Sequence, residues 1–144
     1  IPCQGAQQTL AELHQRGYRL GVISNTMSTL DIPRSLEEFG WGGYFEAVIL
    51  ACGVKARKPA PEPFLDAARA LNVAPAHCAY LGNRYLKDVV GCKRAGFALG
   101  LIIDTPEQSR PEQEVQSELI DAVIHSLGGL LDIFPPRRLA APAR

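Results

Sequence analysis

The sequence lacks the features that would direct a protein to a membrane, to nucleic acid or to zinc. No apolar run approaches the roughly 18 residues that a membrane-spanning helix needs. Its 15 basic and 15 acidic residues balance, so no excess of positive charge favours nucleic acid. Its four cysteines form no C-x-x-C pair, which is the common zinc-binding spacing. We therefore expect a cytoplasmic protein that binds neither membrane nor nucleic acid and keeps its cysteines as buried, reduced thiols.

Short apolar runs alternate with helical patterns along the chain. The first helical pattern lies between Pro2 and Gly17, and the later ones are bounded by glycine or proline. The later helices are predicted within Ser28–Phe39 and over Pro61–Leu71, Leu86–Ala95 and Leu127–Phe134. The strands are predicted at Tyr18–Ile23, Ala47–Leu50, Cys78–Leu81, Ala98–Ile103 and Ala122–Ile124.

This alternation predicts an α/β fold with a Rossmann-like, three-layer α/β/α architecture and a mostly parallel sheet. The strands show no polar alternation, as expected when helices cover both faces of the sheet. Residues 1–134 are expected to form one core domain, and residues 135–144, rich in Pro, Ala and Arg, a flexible tail. Ligands of such folds bind beyond the carboxyl ends of the strands, so the residues there are the functional candidates.

Polar residues follow the first predicted strand directly. Ser24, Asn25 and Thr26 come after Ile23, just before a predicted helix. Hydroxyls and unpaired backbone N–H groups at a helix start suit a phosphate. The same residue types are also common N-caps, so the pattern alone leaves a structural interpretation open.

The next two strands are also followed by candidate residues. Lys58 precedes a proline-rich helix start, where it could present a fixed cation to a phosphate or carboxylate, or could be an ordinary solvated lysine. Gly82 allows a tight turn, and the oxygens of Asn83 and Asp88 could bind a hard cation. Alternatively, Asn83 caps the following helix and Asp88 complements its dipole. All these groups would meet at one edge of the sheet.

The three segments resemble motifs of the haloacid dehalogenase-like hydrolase superfamily, closest to its phosphoglycolate-phosphatase-type branch. Gly17–Asn25 resembles the second motif, Arg57–Phe64 the third and Leu81–Phe97 the fourth. The resemblance extends from Gly5 to about Phe134, and it makes residues 1–134 a partial core domain of this superfamily.

The resemblance implies a Mg²⁺-dependent phosphatase that acts on a small phosphorylated metabolite through an aspartyl-phosphate. Ser24 would hydrogen-bond the transferring phosphoryl group, and Asn25 and Thr26 would help to bind the substrate. Lys58 would offset negative charge on the phosphoryl group and the nucleophile. Such positioning and charge stabilisation are what phosphoryl transfer requires.

The resemblance also implies that Asn83 and Asp88 lie on the Mg²⁺ side of the site. The fourth motif of the family normally has an acid at the position of Asn83, and an amide is a weaker Mg²⁺ ligand. Either Asp88 compensates for this difference or metal binding is poor.

The family's nucleophile motif, D-x-D-x-T, is absent from the sequence. No two aspartates are separated by one residue; they are Asp31, Asp66, Asp88, Asp104, Asp121 and Asp132. The chain begins with Ile1, and we expect an incomplete core without the first strand, the nucleophile and the cap, inactive alone. In the family that strand lies between the strands leading to Ser24 and to Gly82. A homodimer, or pairing with the missing N-terminal segment, would cover the exposed edges.

Two other functions stay open from the sequence. One is a non-catalytic phosphate-binding or protein-interaction domain, favoured by the absent nucleophile and by Asn83. The other is a dehalogenase, because the same fold can direct its aspartate at carbon. The substrate itself is not specified by these motifs.

Overall fold

Helices and strands alternate along the chain as the sequence predicts. The structure, a computed structural model, describes residues 5–25, 31–51, 57–106 and 117–137. Short 3₁₀ turns at Gly42–Tyr44, Pro75–His77 and Leu127–Gly129 connect some of the elements. The α-helices among these described residues are α1 (Ala6–Gln15), α2 (Asp31–Glu38), α3 (Glu62–Ala70), α4 (Gly91–Arg94) and α5 (Leu130–Ile133).

The strands form two parallel sheets. One contains β1 and β2, and the other has the order β3, β4, β5, with every pairing parallel. Among the described residues, no strand pairs with the edge of β1 or of β3 that faces away from these partners. The strands are β1 (Leu20–Asn25), β2 (Phe45–Ala51), β3 (Ala79–Gly82), β4 (Leu99–Ile103) and β5 (Ala122–Ile124).

Helix α1 shows how local sequence defines an element here. Its buried residues include Leu10 and Leu13, which lie on one face of the helix. It ends in a Schellman motif, because the Gly17 N–H donates to His14 O and the Tyr18 N–H donates to Leu13 O. Gly17 has φ 94°, which a residue with a side chain rarely adopts. The predicted stop at Gly17 is confirmed.

One face of the sheets is covered by α3 and α4. Their apolar residues pack against the side chain of Ile23 in β1, with Ile49 of β2 and Tyr80 of β3 at the margin. This α3-side cluster therefore joins the two sheets through one continuous core. Its buried members are Ile23, Phe64, Ala67, Ala68, Cys78, Cys92, Ala95 and Phe97.

The opposite face is covered by α1 and α5. Leu13 of α1 and Leu130 of α5 pack against residues of β4 and β5, with Leu20 of β1 and Leu81 of β3 at the margin. This α1-side cluster contains the buried residues Leu13, Leu101, Ile103, Ile124 and Leu130. Helices thus lie on both faces of parallel strands, and the predicted Rossmann-like three-layer α/β/α class is confirmed.

Two element boundaries differ from the sequence prediction in ways that affect the site. Strand β1 extends to Asn25 because Ser24 and Asn25 continue the ladder opposite Leu50 and Ala51. The helix expected over Leu86–Ala95 begins instead as a π-helical turn at Tyr85–Val90. Short π-helical segments interrupt α-helices frequently at functional sites.

The chain remains attached to the fold beyond Phe134. The Tyr18 hydroxyl donates to Pro135 O, and Arg137 donates from its backbone N–H to Arg16 O and from its guanidinium to Gly17 O. Residues 138–144, the rest of the expected tail, lie outside the described residues.

Two further expectations concern cysteines and membrane helices. Cys78 and Cys92 are buried free thiols, as predicted, whereas Cys3 and Cys52 lie outside the described residues. In the part of the chain that the structure describes, no helix has the length and apolar content to cross a bilayer.

Candidate functional site

The predicted site residues begin at the carboxyl end of β1. Ser24 is the penultimate residue of this strand, lies opposite Leu50 of β2 and is partly buried. Its hydroxyl makes no hydrogen bond with any other described residue. Thr26, the third predicted substrate-binding residue, lies outside the described residues.

The Asn25 side chain fixes the backbone at Lys58. Its Nδ2 donates to Lys58 O over 3.1 Å, and its Oδ1 accepts from the Lys58 N–H over 3.0 Å. Both polar groups of the side chain are therefore used within the protein. Asn25 positions Lys58, and its predicted contact with a substrate would have to come from its backbone.

The Lys58 ammonium lies between a carboxylate and a phenol. Its Nζ donates to Asp88 Oδ1 over 2.7 Å and to the Tyr80 hydroxyl over 3.1 Å. The Lys58 side chain is only 12% exposed and that of Asp88 only 3%. This excludes the alternative of an ordinary solvated lysine.

The surroundings of Lys58 keep it charged. Burial opposes the charge and lowers the pKa, but Tyr80 and Asp88 together outweigh burial, so the pKa of Lys58 is raised. The hydrogen bond from Nζ to the carboxylate favours the charged form directly. The Lys58 side chain is therefore positively charged at neutral pH.

Asp88 is held as firmly as its lysine partner. Its Oδ2 accepts hydrogen bonds from the backbone N–H groups of Asn83 and Arg84, both at 3.0 Å. The carboxylate lies against Gly82, where a Cβ would come within 2.2 Å of Asp88 Cγ. The turn needs glycine for this close approach, and the carboxylate connects β3 to the π-helical turn.

The described residues do not form a magnesium site by themselves. Magnesium prefers six oxygen ligands, commonly one or two carboxylates completed by water and substrate phosphate. Asp88 already binds a lysine and two backbone N–H groups, and Asn83 offers only a neutral amide. No group of three or more His, Cys, Asp or Glu side chains that could hold a metal occurs among the described residues. The metal role of Asn83 and Asp88 therefore stays a prediction.

The structure brings together the predicted residues from all three strand ends. Asn25 contacts Lys58, Lys58 contacts Asp88, and Asp88 contacts the backbone of Asn83. Ser24 joins this group as the neighbour of Asn25 in β1. The expectation of one shared edge is thus met by direct contacts.

The sequence interpretation missed Tyr80. Its hydroxyl bonds Lys58 and also donates to Ile23 O of β1 over 3.2 Å. The available signal was a phenol in an otherwise apolar strand, two residues before Gly82. A buried tyrosine usually finds a partner for its hydroxyl, so the residue could have been identified as a candidate.

The arrangement is suited to binding an anion. Lysine has three N–H donors, and two of those of Lys58 are used by Asp88 and Tyr80. The third donor and the Ser24 hydroxyl remain without a partner among the described residues. Fixed donors in a site of low dielectric are effective at stabilising negative charge.

Sequence comparison with known proteins identifies relatives that are named as phosphatases. The chain is 28% identical over 133 residues to a glyceraldehyde 3-phosphate phosphatase of Methanothermobacter thermautotrophicus, covering 92% of this chain and 58% of that protein. It is 34% identical over 95 residues to a phosphoglycolate phosphatase of Nitrosococcus oceani, covering 66% of this chain and 41% of that protein. The chain thus spans about half the length of these relatives.

The fold also matches solved structures. The crystal structure of a HAD phosphatase from Thermococcus onnurineus superposes with a TM-score of 0.75 at 29% identity, covering 92% of this chain and 57% of that one. The family model described as haloacid dehalogenase-like hydrolase matches residues 1–96, which include every predicted site residue. The chain therefore belongs to the haloacid dehalogenase-like hydrolase family.

Proposed function

We propose that this chain supplies the phosphoryl-binding part of a Mg²⁺-dependent phosphatase that acts on a small phosphorylated metabolite. The observation that carries the proposal is the buried ammonium of Lys58, which is held by Asp88 and Tyr80. The Lys58 backbone is bonded by Asn25, the neighbour of Ser24 in β1. The names of the relatives, a glyceraldehyde 3-phosphate phosphatase and a phosphoglycolate phosphatase, support phosphoester hydrolysis.

In this proposal Ser24 and Lys58 bind the transferring phosphoryl group. The Ser24 hydroxyl donates to one phosphoryl oxygen, and the third N–H of Lys58 donates to another. Donors that are held in position before the reaction stabilise charge that develops on the equatorial oxygens. Asn25 acts through the backbone of Lys58, and Thr26, which directly follows the second motif, is assigned a further substrate contact.

The nucleophile of the proposed aspartyl-phosphate is not among the aspartates of this sequence. None of them is part of a D-x-D-x-T motif, and the carboxylate of Asp88 forms an ion pair with Lys58. We therefore expect the 144-residue chain to be inactive alone, and the nucleophile to come from a segment that pairs with β1 and β3. Asn83 and Asp88 would lie on the Mg²⁺ side of the site, and further ligands would be needed to complete the metal shell.

Phosphate release from small phosphomonoesters tests this proposal. The product of the complete coding sequence is assayed with and without Mg²⁺, on a panel that includes phosphoglycolate and glyceraldehyde 3-phosphate. Lys58→Ala and Ser24→Ala should each lower kcat by roughly 10²- to 10³-fold, the usual loss for one transition-state donor. Lys87→Ala, which removes an exposed lysine, should leave turnover unchanged. Absence of Mg²⁺-dependent hydrolysis across the panel would refute the phosphatase assignment.

A non-catalytic phosphate-binding or protein-interaction domain is the second candidate. The neutral Asn83 and the missing D-x-D-x-T motif favour it. It predicts that the complete protein binds inorganic phosphate, that Lys58→Ala abolishes this binding, and that no phosphoester is hydrolysed. Isothermal titration with phosphate, combined with the release assay, separates this candidate from the enzyme.

A further inference from the structure

Tyr80 connects two parts of the molecule between which the described residues form no strand pairing. It is the second residue of β3, and its ring packs edge-on against Phe64 with centroids 4.9 Å apart. Its hydroxyl lies 3.2 Å from Ile23 O in β1, which belongs to the other sheet. The Tyr80 side chain thus bridges the space between the edges of β3 and β1 that are unpaired among the described residues, which we call the interval, and it packs against the α3-side cluster.

The direction of the Tyr80 hydrogen bonds follows from the partners. A backbone carbonyl can only accept, so the phenolic proton is donated to Ile23 O. An ammonium can only donate, so the phenolic oxygen accepts from Lys58 Nζ at 3.1 Å. The orientation of the hydroxyl is therefore determined by the protein.

Two fixed acceptors determine where the third donor of Lys58 points. An ammonium that is held only by Asp88 can still rotate about its Cε–Nζ bond, so the directions of its other two N–H groups are not fixed. With Asp88 on one side and Tyr80 on the other, the rotation is fixed and the third N–H has a single direction. The Lys58 ammonium also lies over the Tyr80 ring, 5.4 Å from its centroid, and this contact further restricts the side chain.

We propose that Tyr80 is a positioning residue that orients the third N–H of Lys58 toward the bound phosphoryl group. It acts through Lys58 and does not touch the substrate. The orientation of the ammonium is independent of any activity, whereas its use on a phosphoryl group rests on the proposed function. Misplacing a donor by about 1 Å costs roughly 100-fold in rate, so removing the hydroxyl affects kcat more than KM.

The variant Tyr80→Phe tests the positioning directly. It keeps the ring and its packing against Phe64 but removes the hydroxyl. Tyr44→Phe is the matched control, because its ring contacts His14 and its hydroxyl has no hydrogen bond with any described residue. The sequence has four lysines, so the side-chain ¹⁵N NMR signals of selectively labelled protein are few. The Lys58 signal is the one that disappears in Lys58→Ala.

We expect the Lys58 ammonium protons of the wild type to exchange slowly with solvent. In Tyr80→Phe they should exchange about tenfold faster or more, and the pKa of Lys58 should fall, because one of the groups that raise it is lost. Tyr44→Phe should match the wild type. In the complete protein, Tyr80→Phe should lower kcat about 10- to 100-fold with a smaller change in KM.

The outcomes separate the two proposals. Unchanged Lys58 exchange and pKa in a folded Tyr80→Phe protein would overturn the positioning role, whatever the activity. Changed exchange with wild-type kcat would also overturn it. Changed exchange in a protein whose wild type hydrolyses no phosphoester would support the orientation of the Lys58 ammonium by Tyr80 and refute the phosphatase.

A measurement on the wild type covers the case in which Tyr80→Phe does not fold. The Tyr80 hydroxyl proton should give a slowly exchanging NMR signal with a nuclear Overhauser contact to the Lys58 ammonium. Absence of that contact would overturn the proposal without any substitution.

Discussion

At the scale of single residues, the site is a series of side chains whose polar groups are hydrogen-bonded to one another or to the backbone. Asn25 uses both groups of its amide on the Lys58 backbone, and Lys58 uses two donors on Asp88 and Tyr80. Asp88 in turn accepts from the backbone N–H of Asn83. Each group therefore restricts the position of the next, and a substitution at one residue should change the positions of the others.

Asp88→Asn should destabilise the fold strongly, although it preserves the shape of the side chain. An amide has one oxygen, so its NH₂ group must face either the Lys58 ammonium or the N–H groups of Asn83 and Arg84, which are themselves donors. Breaking a buried ion pair by removing one partner costs about 3–5 kcal/mol. Urea denaturation monitored by circular dichroism measures the loss of unfolding free energy.

Asp66→Asn is the control for this prediction. Its ion pair with Arg69 is also formed at short range, at 3.2 Å, but the two side chains are largely exposed. Exposed pairs contribute about 0–1 kcal/mol, so this variant should unfold almost like the wild type. Equal losses in Asp66→Asn and Asp88→Asn would show that burial of the Lys58 pair contributes nothing.

At the scale of elements, the turn after β3 is shaped by the approach of Asp88 to Gly82. The carboxylate occupies the space where a side chain at residue 82 would begin, and it bonds the first N–H groups of the turn. The chain then enters the π-helical turn Tyr85–Val90 before α4. The position of Asp88, and through it that of Lys58, therefore depends on a glycine at the end of the strand.

Gly82→Ala should displace the Asp88 carboxylate. The new Cβ would lie 2.2 Å from Asp88 Cγ, well inside van der Waals contact. Overpacking of this kind costs about 1–3 kcal/mol, and the displaced carboxylate should also release Lys58. Thermal denaturation gives the stability loss, and the side-chain ¹⁵N signal of Lys58 reports its release.

Gly42→Ala provides the comparison, since a Cβ there meets nothing within 4 Å and the residue has no positive φ. It should leave both measurements close to the wild type. A Gly82→Ala protein with the stability and the Lys58 signal of Gly42→Ala would mean that Asp88 can move at no cost.

The elements were predictable to within about two residues at most strand ends, because each strand is a short apolar run bounded by turn residues. The convergence of Ser24, Lys58 and Asp88 followed from the parallel arrangement alone. The partners of Asn25 and Tyr80 did not follow, because the backbone of Lys58 and the carbonyl of Ile23 are distant in sequence. Contacts of that kind are determined by tertiary packing and leave no local pattern.

At the scale of the whole molecule, the described parts of the two sheets are connected by side chains and not by a strand ladder. The α3-side cluster and the bond from Tyr80 to Ile23 O span the interval between β1 and β3. The strand edges that face this interval have no strand partner among the described residues. Unpaired edges tend to recruit another strand, either from a second copy or from another segment of the same protein.

Amide hydrogen exchange should reveal this difference between the strands. β4 is paired on both sides by β3 and β5, and most of its residues are buried, so its amides should exchange slowest. Amides of β1 and β3 that face the interval should exchange much faster in the 144-residue chain. In the product of the complete coding sequence, a strand docked between β1 and β3 should slow the exchange of these amides while leaving that of β4 unchanged. If both proteins show the same exchange in β1 and β3, and sedimentation finds both monomeric, then neither a further segment nor a second copy covers these edges, and the proposed source of the nucleophile is wrong.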